Sequence, residues 1–204
     1  GGSLEGIAIS IETVVASAEL GQRIDLASIA KALPSAEYRP AIFPGLIFHL
    51  KRPRATALIF RSGKVVCTGA KSERQARLAM DAVVEELRRG GIVILGRPKA
   101  VIRNVVASCR LGVRLDLERA ARSLGGAIYE PKRFPGLVYR AKASGIALLI
   151  FRNGKVICAG GKGESDIRDA ISDLMAALRS CGAWPQAEPC DRLAILMGRR
   201  PSQS

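Results

Sequence analysis

The 204-residue sequence is poor in the residues that build zinc sites and disulfide scaffolds. His49 is its only histidine and no CxxC pair occurs, so the clustered ligands of a structural zinc site are missing. Five cysteines are an odd number for a disulfide framework, and we expect all of them to be reduced. No apolar run approaches the roughly 18 residues of a membrane-spanning helix. We therefore expect a soluble intracellular protein with no metal, no cofactor and no membrane partner.

Acidic residues are also scarce. The chain has 18 Asp and Glu against 32 Lys and Arg, a formal net charge of +14. Such an excess indicates a polyanionic partner, either nucleic acid or an anionic surface. The hydrophobic fraction of 48% is too high for a disordered basic tail, so the chain folds.

The sequence contains one unit twice. Residues 14–26 realign with residues 105–117 at an offset of 91, and no gap is needed from position 12 through 87. Roughly 33 of the 76 aligned positions are identical, which chance similarity does not produce. We divide the chain into a first repeat at 1–95 with its core at about 7–90, a second repeat at 96–182, and a C-terminal tail at 183–204 that we expect to be flexible.

Both copies predict the same order of elements, β-α-β-β-β-β-α. In the first copy the pattern places strands at 7–18, 36–40, 46–51, 56–60 and 64–68, and helices at 26–33 and 72–89. In the second copy it places the first strand at 99–109 and helices at 117–124 and 163–180. This order predicts an α+β fold, an antiparallel sheet with the helices on one side.

The predicted strands are apolar on both faces, as in Ala57-Leu58-Ile59-Phe60 and Val65-Val66-Cys67. Two helices per unit cover only one face of the sheet. The other face must meet a second sheet, a partner or a ligand, and burial against a second sheet is the ordinary solution.

Two motifs occur in both copies: FPGLIF with FPGLVY, and ALIFRSGKVVCTGAK with ALLIFRNGKVICAGGK. Over residues 7–181 they closely resemble the TATA-box-binding protein family, and the lack of a long N-terminal extension is similar to its archaeal members. The resemblance implies a saddle in which two pseudo-symmetric repeats form one curved ten-stranded sheet with four helices on the convex side. It implies that the concave face binds the minor groove of A/T-rich TATA boxes, kinks the DNA and nucleates the transcription pre-initiation complex.

The resemblance also assigns the phenylalanines. A phenylalanine in a strand is ordinarily a core residue, but four of the five here obey both the repeat and the family motif. Inserted between base pairs, such rings replace lost base stacking while they open the groove. The implied wedges are Phe43, Phe60, Phe134 and Phe151.

Alternation along the strands, combined with the resemblance, predicts the floor of the DNA-binding face. Val14, Ile59, Val65, Cys67 and Cys158 should face the helices. Apolar floor residues tolerate A·T pairs, whereas a guanine amino group there would be left unpaired, and Asn104 can donate to the acceptors that A·T pairs expose. The predicted floor comprises Thr13, Val15, Leu58, Val66, Thr68, Asn104, Val106, Leu149, Ile157 and Ala159.

Basic residues at matching family positions should flank the groove and contact phosphates. They are Arg61, Lys64, Lys71, Arg140, Arg152, Lys155 and Lys162.

Several positions depart from the family pattern. Thr13 stands where the family has a second central asparagine, Ala159 where it has threonine, and Ile42 and His49 where it has phosphate-binding arginines. We therefore predict weaker sequence discrimination by the first copy. In the loop that binds transcription factor B in this family, Glu130 is retained but Lys132 and Arg133 replace an acidic and an apolar residue. We expect a factor with a compensating acidic patch, or weak binding.

Two other classes of function are compatible with a fold of this kind. Similar folds occur within DNA glycosylases and ribonucleases, but the two repeats use up the chain and no carboxylate cluster or Cys–His pair appears, so we expect no enzyme. An architectural DNA-bending protein with relaxed sequence specificity is the main alternative. The expected partners are double-stranded DNA, a transcription factor B-type protein and the RNA polymerase pre-initiation complex, bound by a functional monomer. The expected location is the cytoplasm and nucleoid if the source is archaeal, or the nucleus if it is eukaryotic.

Overall fold

The computed structural model describes residues 6–185, which form two equivalent sets of elements. The first set is β1 (Ile9–Glu19), α1 (Leu26–Ala32), β2 (Ala36–Tyr38), β3 (Leu46–Leu50), β4 (Ala55–Ile59), β5 (Lys64–Ala70) and α2 (Glu73–Arg89). The second is β6 (Val101–Arg110), α3 (Leu117–Ser123), β7 (Leu137–Arg140), β8 (Ala147–Ile150), β9 (Lys155–Gly161) and α4 (Glu164–Ser180). Most of the predicted tail, from residue 186 onward, lies outside the described residues.

The strands form one antiparallel sheet in the order β2-β3-β4-β5-β1-β6-β9-β8-β7. The prediction of ten strands is wrong by one, because the counterpart of β2 is reduced to a single bridge between Ile128 and Val138. Each of these residues donates its N–H to the other's carbonyl, at 2.8 and 2.9 Å. Gly125-Gly126 leads into this segment where Pro34-Ser35 precedes β2, and Gly126 has a φ of +86°. The left-handed turn at Gly126 directs the following segment so that only one residue pair comes into register at this edge.

The helices pack on one face of the sheet, as predicted. The short helices α1 and α3 begin at Asp25 and Asp116, whose carboxylates accept hydrogen bonds from the first turn. The long helices bury an apolar stripe at helical spacing, Ala76, Ala79, Met80, Val83, Val84 and Leu87 in α2 and the equivalent positions of α4. Val14, Ile59, Val65, Cys67 and Cys158 are all at most 1% exposed beneath these helices, which confirms their predicted direction.

The two halves are joined through β1 and β6, which pair around Val14 and Val105. These valines are equivalent in the repeat, so the contact is symmetric about this pair. The long helices also meet at their N-termini. The Glu73 N–H donates to Glu164 Oε1 at 3.2 Å, and the Glu164 N–H donates to Glu73 Oε1 at 2.7 Å.

No described segment covers the other face of the sheet. Within residues 6–185, the second apolar face is therefore not buried against a second sheet. Across the same residues, no helix combines the length and apolar composition needed to span a bilayer. The open face is therefore the natural place to look for a ligand or partner.

Candidate nucleic-acid interface

The residues predicted for the floor lie together on the open face. Cross-strand partners point to the same side of a sheet. The register places Leu58 opposite Val66 and Leu149 opposite Ile157. In the two central strands it places Thr13 opposite Val106 and Val15 opposite Asn104. All ten floor residues are partly exposed. Six of them lie between two buried neighbours along the strand, while Thr13, Thr68, Asn104 and Ala159 each have one buried and one exposed neighbour.

Four further residues extend this face and were missed from the sequence. Ile47 lies opposite Leu58, and Val138, 37% exposed, lies opposite Leu149. Thr56 and Ala147 extend the face beside Thr68 and Ala159. The alternation of buried Leu46 and Phe48 around Ile47 could have identified at least this position.

The four predicted wedges form two matching pairs at opposite ends of the open face. The Phe43 and Phe60 rings lie edge to face with centroids 5.8 Å apart, and Phe134 and Phe151 repeat this at 5.8 Å. All four rings are partly exposed, and none belongs to either hydrophobic core. The fifth phenylalanine, Phe48, is 4% exposed in the core of the first half.

A buried glycine sets the position of each pair. A Cβ on Gly45 would lie 2.7 Å from Phe43 Cε1, and a Cβ on Gly136 would lie 2.7 Å from Phe134 Cε1. Any larger residue at either position would displace the ring, which explains why FPG occurs in both copies.

The central polar residues, Thr13 and Asn104, are anchored in the same way. The Gly69 N–H donates to Thr13 Oγ1 at 3.0 Å, and the Gly160 N–H donates to Asn104 Oδ1 at 2.9 Å. The bond occupies the Asn104 oxygen and leaves both Nδ2 hydrogens for an acceptor. Thr13 keeps one hydroxyl hydrogen. The two halves therefore offer one and two donors at equivalent places.

All seven predicted phosphate-binding residues stand at hairpins, strand ends and loops around this face, among them Lys64, Lys71, Arg140, Lys155 and Lys162. Lys71 Nζ donates to the Glu12 carbonyl at 2.6 Å, which holds this ammonium beside the central strands. Arg140 Nη1 donates to the Gly145 carbonyl at 2.6 Å.

The two remaining arginines, Arg61 and Arg152, are equivalent in sequence but not in environment. Arg152 Nη2 donates to Glu118 Oε1 at 2.6 Å and to the Tyr129 hydroxyl at 3.3 Å. The first copy has Ala27 in place of Glu118, and within residues 6–185 Arg61 forms no ion pair. Arg152 is therefore held by a carboxylate, whereas no ion pair among the described residues holds the Arg61 guanidinium away from a phosphate.

The loop predicted to bind a partner carries an internal ion pair. Arg133 Nη1 lies 3.1 Å from Glu130 Oε2, on exposed side chains three residues apart. Lys132 is exposed and forms no ion pair in the described part of the chain. The retained acidic residue is thus matched by its own arginine, and the loop keeps a net positive charge.

Three of the four described cysteines are buried in the core, and Cys181 is half-buried. Burial raises the pKa of the Cys67 thiol to about 12, that of Cys109 to about 11 and that of Cys158 to about 12. All three are free, protonated thiols in the core. Nor do three His, Cys, Asp or Glu side chains of residues 6–185 come together as a metal site would require.

Comparison with known proteins agrees with this geometry. The family model described as "Transcription factor TFIID (or TATA-binding protein, TBP)" matches residues 8–90 and again residues 99–181. The TATA-box-binding protein of Archaeoglobus fulgidus is 46% identical over 176 residues, 85% of this chain and 96% of the relative. That of Pyrobaculum calidifontis is 45% identical over 180 residues, 88% of this chain and 90% of the relative.

The solved structure of the Methanococcus jannaschii protein, TBP, matches with a TM-score of 0.77 at 42% identity, over 84% of this chain and 98% of that one. The saddle of two repeats and the archaeal-type membership that the resemblance implied are confirmed, and the family is one of DNA-binding transcription factors and not of enzymes. The chain belongs to the TATA-binding protein family.

Proposed function

We propose that the open face of the sheet binds the minor groove of A/T-rich promoter elements and kinks the DNA by inserting its four exposed phenylalanines. Bound there, the protein nucleates assembly of the transcription pre-initiation complex on chromosomal DNA. Its internal symmetry lets one chain span the site, so it acts as a monomer.

The observation that carries this proposal is the pairing of Phe43 with Phe60 and of Phe134 with Phe151 at the two ends of an uncovered apolar face. The four partly exposed rings pack against each other in pairs but belong to neither hydrophobic core. Placed at base steps, they recover stacking and bury apolar surface that would otherwise face water. The surrounding lysines and arginines supply phosphate contacts, while the uncharged floor favours A·T pairs.

Competition binding at fixed salt tests the proposal. A short A·T box should be preferred over a shuffled G·C-rich duplex by roughly 10³-fold or more. Phe134→Ala and Phe151→Ala should each weaken binding and reduce bending, measured by energy transfer between dyes at the two DNA ends. Arg74→Ala, an exposed change on helix α2, is the matched control and should do neither. Equal affinity for both duplexes would refute sequence-specific binding.

An architectural protein that bends DNA with little sequence preference is the second candidate. Thr13 and Ala159 favour it, because both lessen the polar groups on the floor. If Thr13 limits selectivity, Thr13→Asn should sharpen the preference for A·T boxes, because it adds a donor at the place where Asn104 has two. Selection from a random-sequence library would measure this, and an unchanged consensus would contradict it.

The partner we propose is a transcription factor B-type protein with an acidic patch facing the loop of Glu130, Lys132 and Arg133. The Glu130–Arg133 ion pair supports this charge assignment, because it leaves Lys132 as the free charge. Lys132→Glu should weaken capture of the cognate factor on a DNA-bound protein, with Lys31→Glu, on helix α1, as a control of equal charge change. Undiminished capture would exclude an electrostatic role for this loop.

A further inference from the structure

Each of the two central strands contains one extra residue, Glu12 in β1 and Arg103 in β6. The β1–β6 register shifts by one residue at both places. It passes from Ile11↔Ala107 to Thr13↔Val106, and from Val15↔Asn104 to Ala16↔Ile102. Glu12 and Arg103 are equivalent positions of the repeat, so the two bulges are related by the symmetry of the fold. A bulge re-aims the side chain of its extra residue.

The hydrogen bonds of these two residues place both side chains on the open face. The Ser108 hydroxyl donates to Glu12 Oε1 at 2.6 Å, and Arg103 Nε donates to Ser17 Oγ at 2.7 Å. Ser17 and Ser108 are themselves equivalent, and Ser108 follows Val106 in the alternation that builds the floor. The same scaffold therefore holds a carboxylate in one half and a guanidinium in the other.

These groups have opposite requirements in a minor groove. A carboxylate only accepts hydrogen bonds, and a guanidinium only donates them. A·T pairs expose acceptors alone on the minor-groove side, and the guanine amino group is the one donor that any base pair adds. The free lone pairs of Glu12 thus match a G·C pair, whereas the free N–H groups of Arg103 match the acceptors of A·T pairs.

The residues next to the bulges act in the same direction. Thr13, beside Glu12, has one donor for an A·T acceptor, while Asn104, beside Arg103, has two. Lys71 is the cation that faces Glu12, but its Nζ donates to the Glu12 carbonyl and not to the carboxylate. The carboxylate therefore keeps its free acceptors.

We propose that Glu12 and Arg103 are specificity-determining residues that make the two half-sites differ in their tolerance of a G·C pair. The half under Glu12 accepts a G·C pair, and the half under Arg103 requires A·T. A box with one G·C pair is consequently bound in a single orientation, although the fold is nearly symmetric. This inference rests on the proposed minor-groove function.

The test compares duplexes with no, one or two G·C pairs in a palindromic A·T box. In the first set of probes, a single G·C pair occupies each position of one half of the box in turn. In the second set, the symmetry-related position of the other half carries a G·C pair as well. At the position near Glu12, the first G·C pair should lower the affinity of the wild-type protein by less than about threefold. The reason is that the protein can bind in the orientation that places Glu12 over this pair. The second G·C pair should lower the affinity by a further factor of roughly ten or more, because it must lie under Arg103.

Exchange of the charges provides the matched variants. In Glu12→Arg, the first G·C pair should lower the affinity as much as the second does. In Arg103→Glu, neither G·C pair should lower the affinity strongly. Glu12→Gln keeps an acceptor for the Ser108 hydroxyl, so it serves as the second variant if Glu12→Arg fails to fold. It should raise the loss of affinity caused by the first G·C pair, as Glu12→Arg does. The double variant Glu12→Arg/Arg103→Glu should restore the wild-type costs with the opposite orientation.

Orientation is measured by cleavage of a one-G·C probe from an iron chelate on Lys132→Cys, in a chain whose Cys181 and Cys190 are serine. Cleavage on one side of the box, reversed by the double variant, would support the inference. If the A·T box is preferred but both G·C pairs cost the same and the variants change nothing, the inference is wrong while the proposed function stands. If the wild-type protein prefers no A·T box at all, both fail.

Discussion

At the scale of single residues, the positions of the exposed rings depend on what stands beside them. Gly45 and Gly136 lie under Phe43 and Phe134 with no room for a methyl group. The equivalent arginines, Arg61 and Arg152, differ because Arg152 donates to Glu118 and to the Tyr129 hydroxyl, and Arg61 forms no ion pair in the described residues. Such neighbours decide which side chains are available to a ligand.

Gly136→Ala should displace Phe134 without unfolding the protein. The new Cβ would lie 2.7 Å from the ring, so the ring must turn away from Phe151. We expect reduced DNA bending and at least a severalfold loss of affinity, measured by energy transfer and by gel shift. Gly126→Ala is not a suitable control because its φ is +86°. Ser165→Ala, exposed on helix α4, is suitable and should leave both measurements unchanged.

Arg61→Ala should weaken DNA binding more than Arg152→Ala does. Loss of a phosphate contact lowers the slope of log affinity against log salt by about one, and Arg152 already pairs with Glu118. Glu118→Gln should release Arg152 and strengthen binding. Salt titrations of the three variants measure this, and equal losses for the two arginines would show that the ion pair does not matter.

At the scale of secondary-structure elements, the short helices depend on their first turns. Asp25 accepts hydrogen bonds from the Ser28 hydroxyl and from the N–H groups of Ala27 and Ser28. The Ser28 hydroxyl, followed by its backbone N–H, holds the pKa of Asp25 below its ordinary value of 3.8. The ionised carboxylate is therefore the form that stabilises helix α1.

Asp25→Ala should lower the midpoint of thermal unfolding by a few degrees at neutral pH. Because the folded-state pKa is depressed, this contribution is complete above the ordinary pKa and is lost as pH falls through the lowered one. The difference between variant and wild type should thus shrink below about pH 4. Glu19→Ala, which removes an exposed carboxylate at the end of β1, is the control. A difference independent of pH would contradict an ionic cap.

Most of these elements could be predicted because the repeat supplies each pattern twice. Alternation placed Val14 and Ile59 correctly, and Asp-Leu marked the start of both short helices. The prediction of a tenth strand was wrong, because the strand pairing at that edge of the sheet depends on the Gly125-Gly126 turn. The ion pair of Arg152 and the contact between Glu12 and Ser108 join distant segments, and only the three-dimensional register brings them together.

At the scale of the whole molecule, reciprocal contacts join the halves. Glu73 and Glu164 each accept the first N–H of the other's helix, where helix N-termini favour a negative charge. One hydrophobic core also crosses the boundary, since it includes Val14 and Ala76 of the first copy. We therefore expect the two halves to unfold together.

Glu73→Ala should destabilise the protein by about 1 kcal/mol, the usual cost of losing a helix cap. Glu164→Ala should cost a similar amount, because its contact is the mirror image. Urea unfolding, followed by fluorescence and circular dichroism, measures both variants. Glu85→Ala, which removes a surface pair with Arg88, is the control and should cost less than about 0.5 kcal/mol. Two separate transitions in the wild-type protein would contradict joint unfolding.

The pairing of β1 with β6 around Val14 and Val105 has a further consequence for how such a molecule could arise. A contact that is identical on both sides is the kind that two separate copies of one chain make with each other. Covalent linkage turns that encounter into an intramolecular one, so the paired state no longer depends on protein concentration. It also frees each copy to mutate alone, which two identical subunits cannot do. The carboxylate of one half and the guanidinium of the other could appear only after the two copies shared a chain.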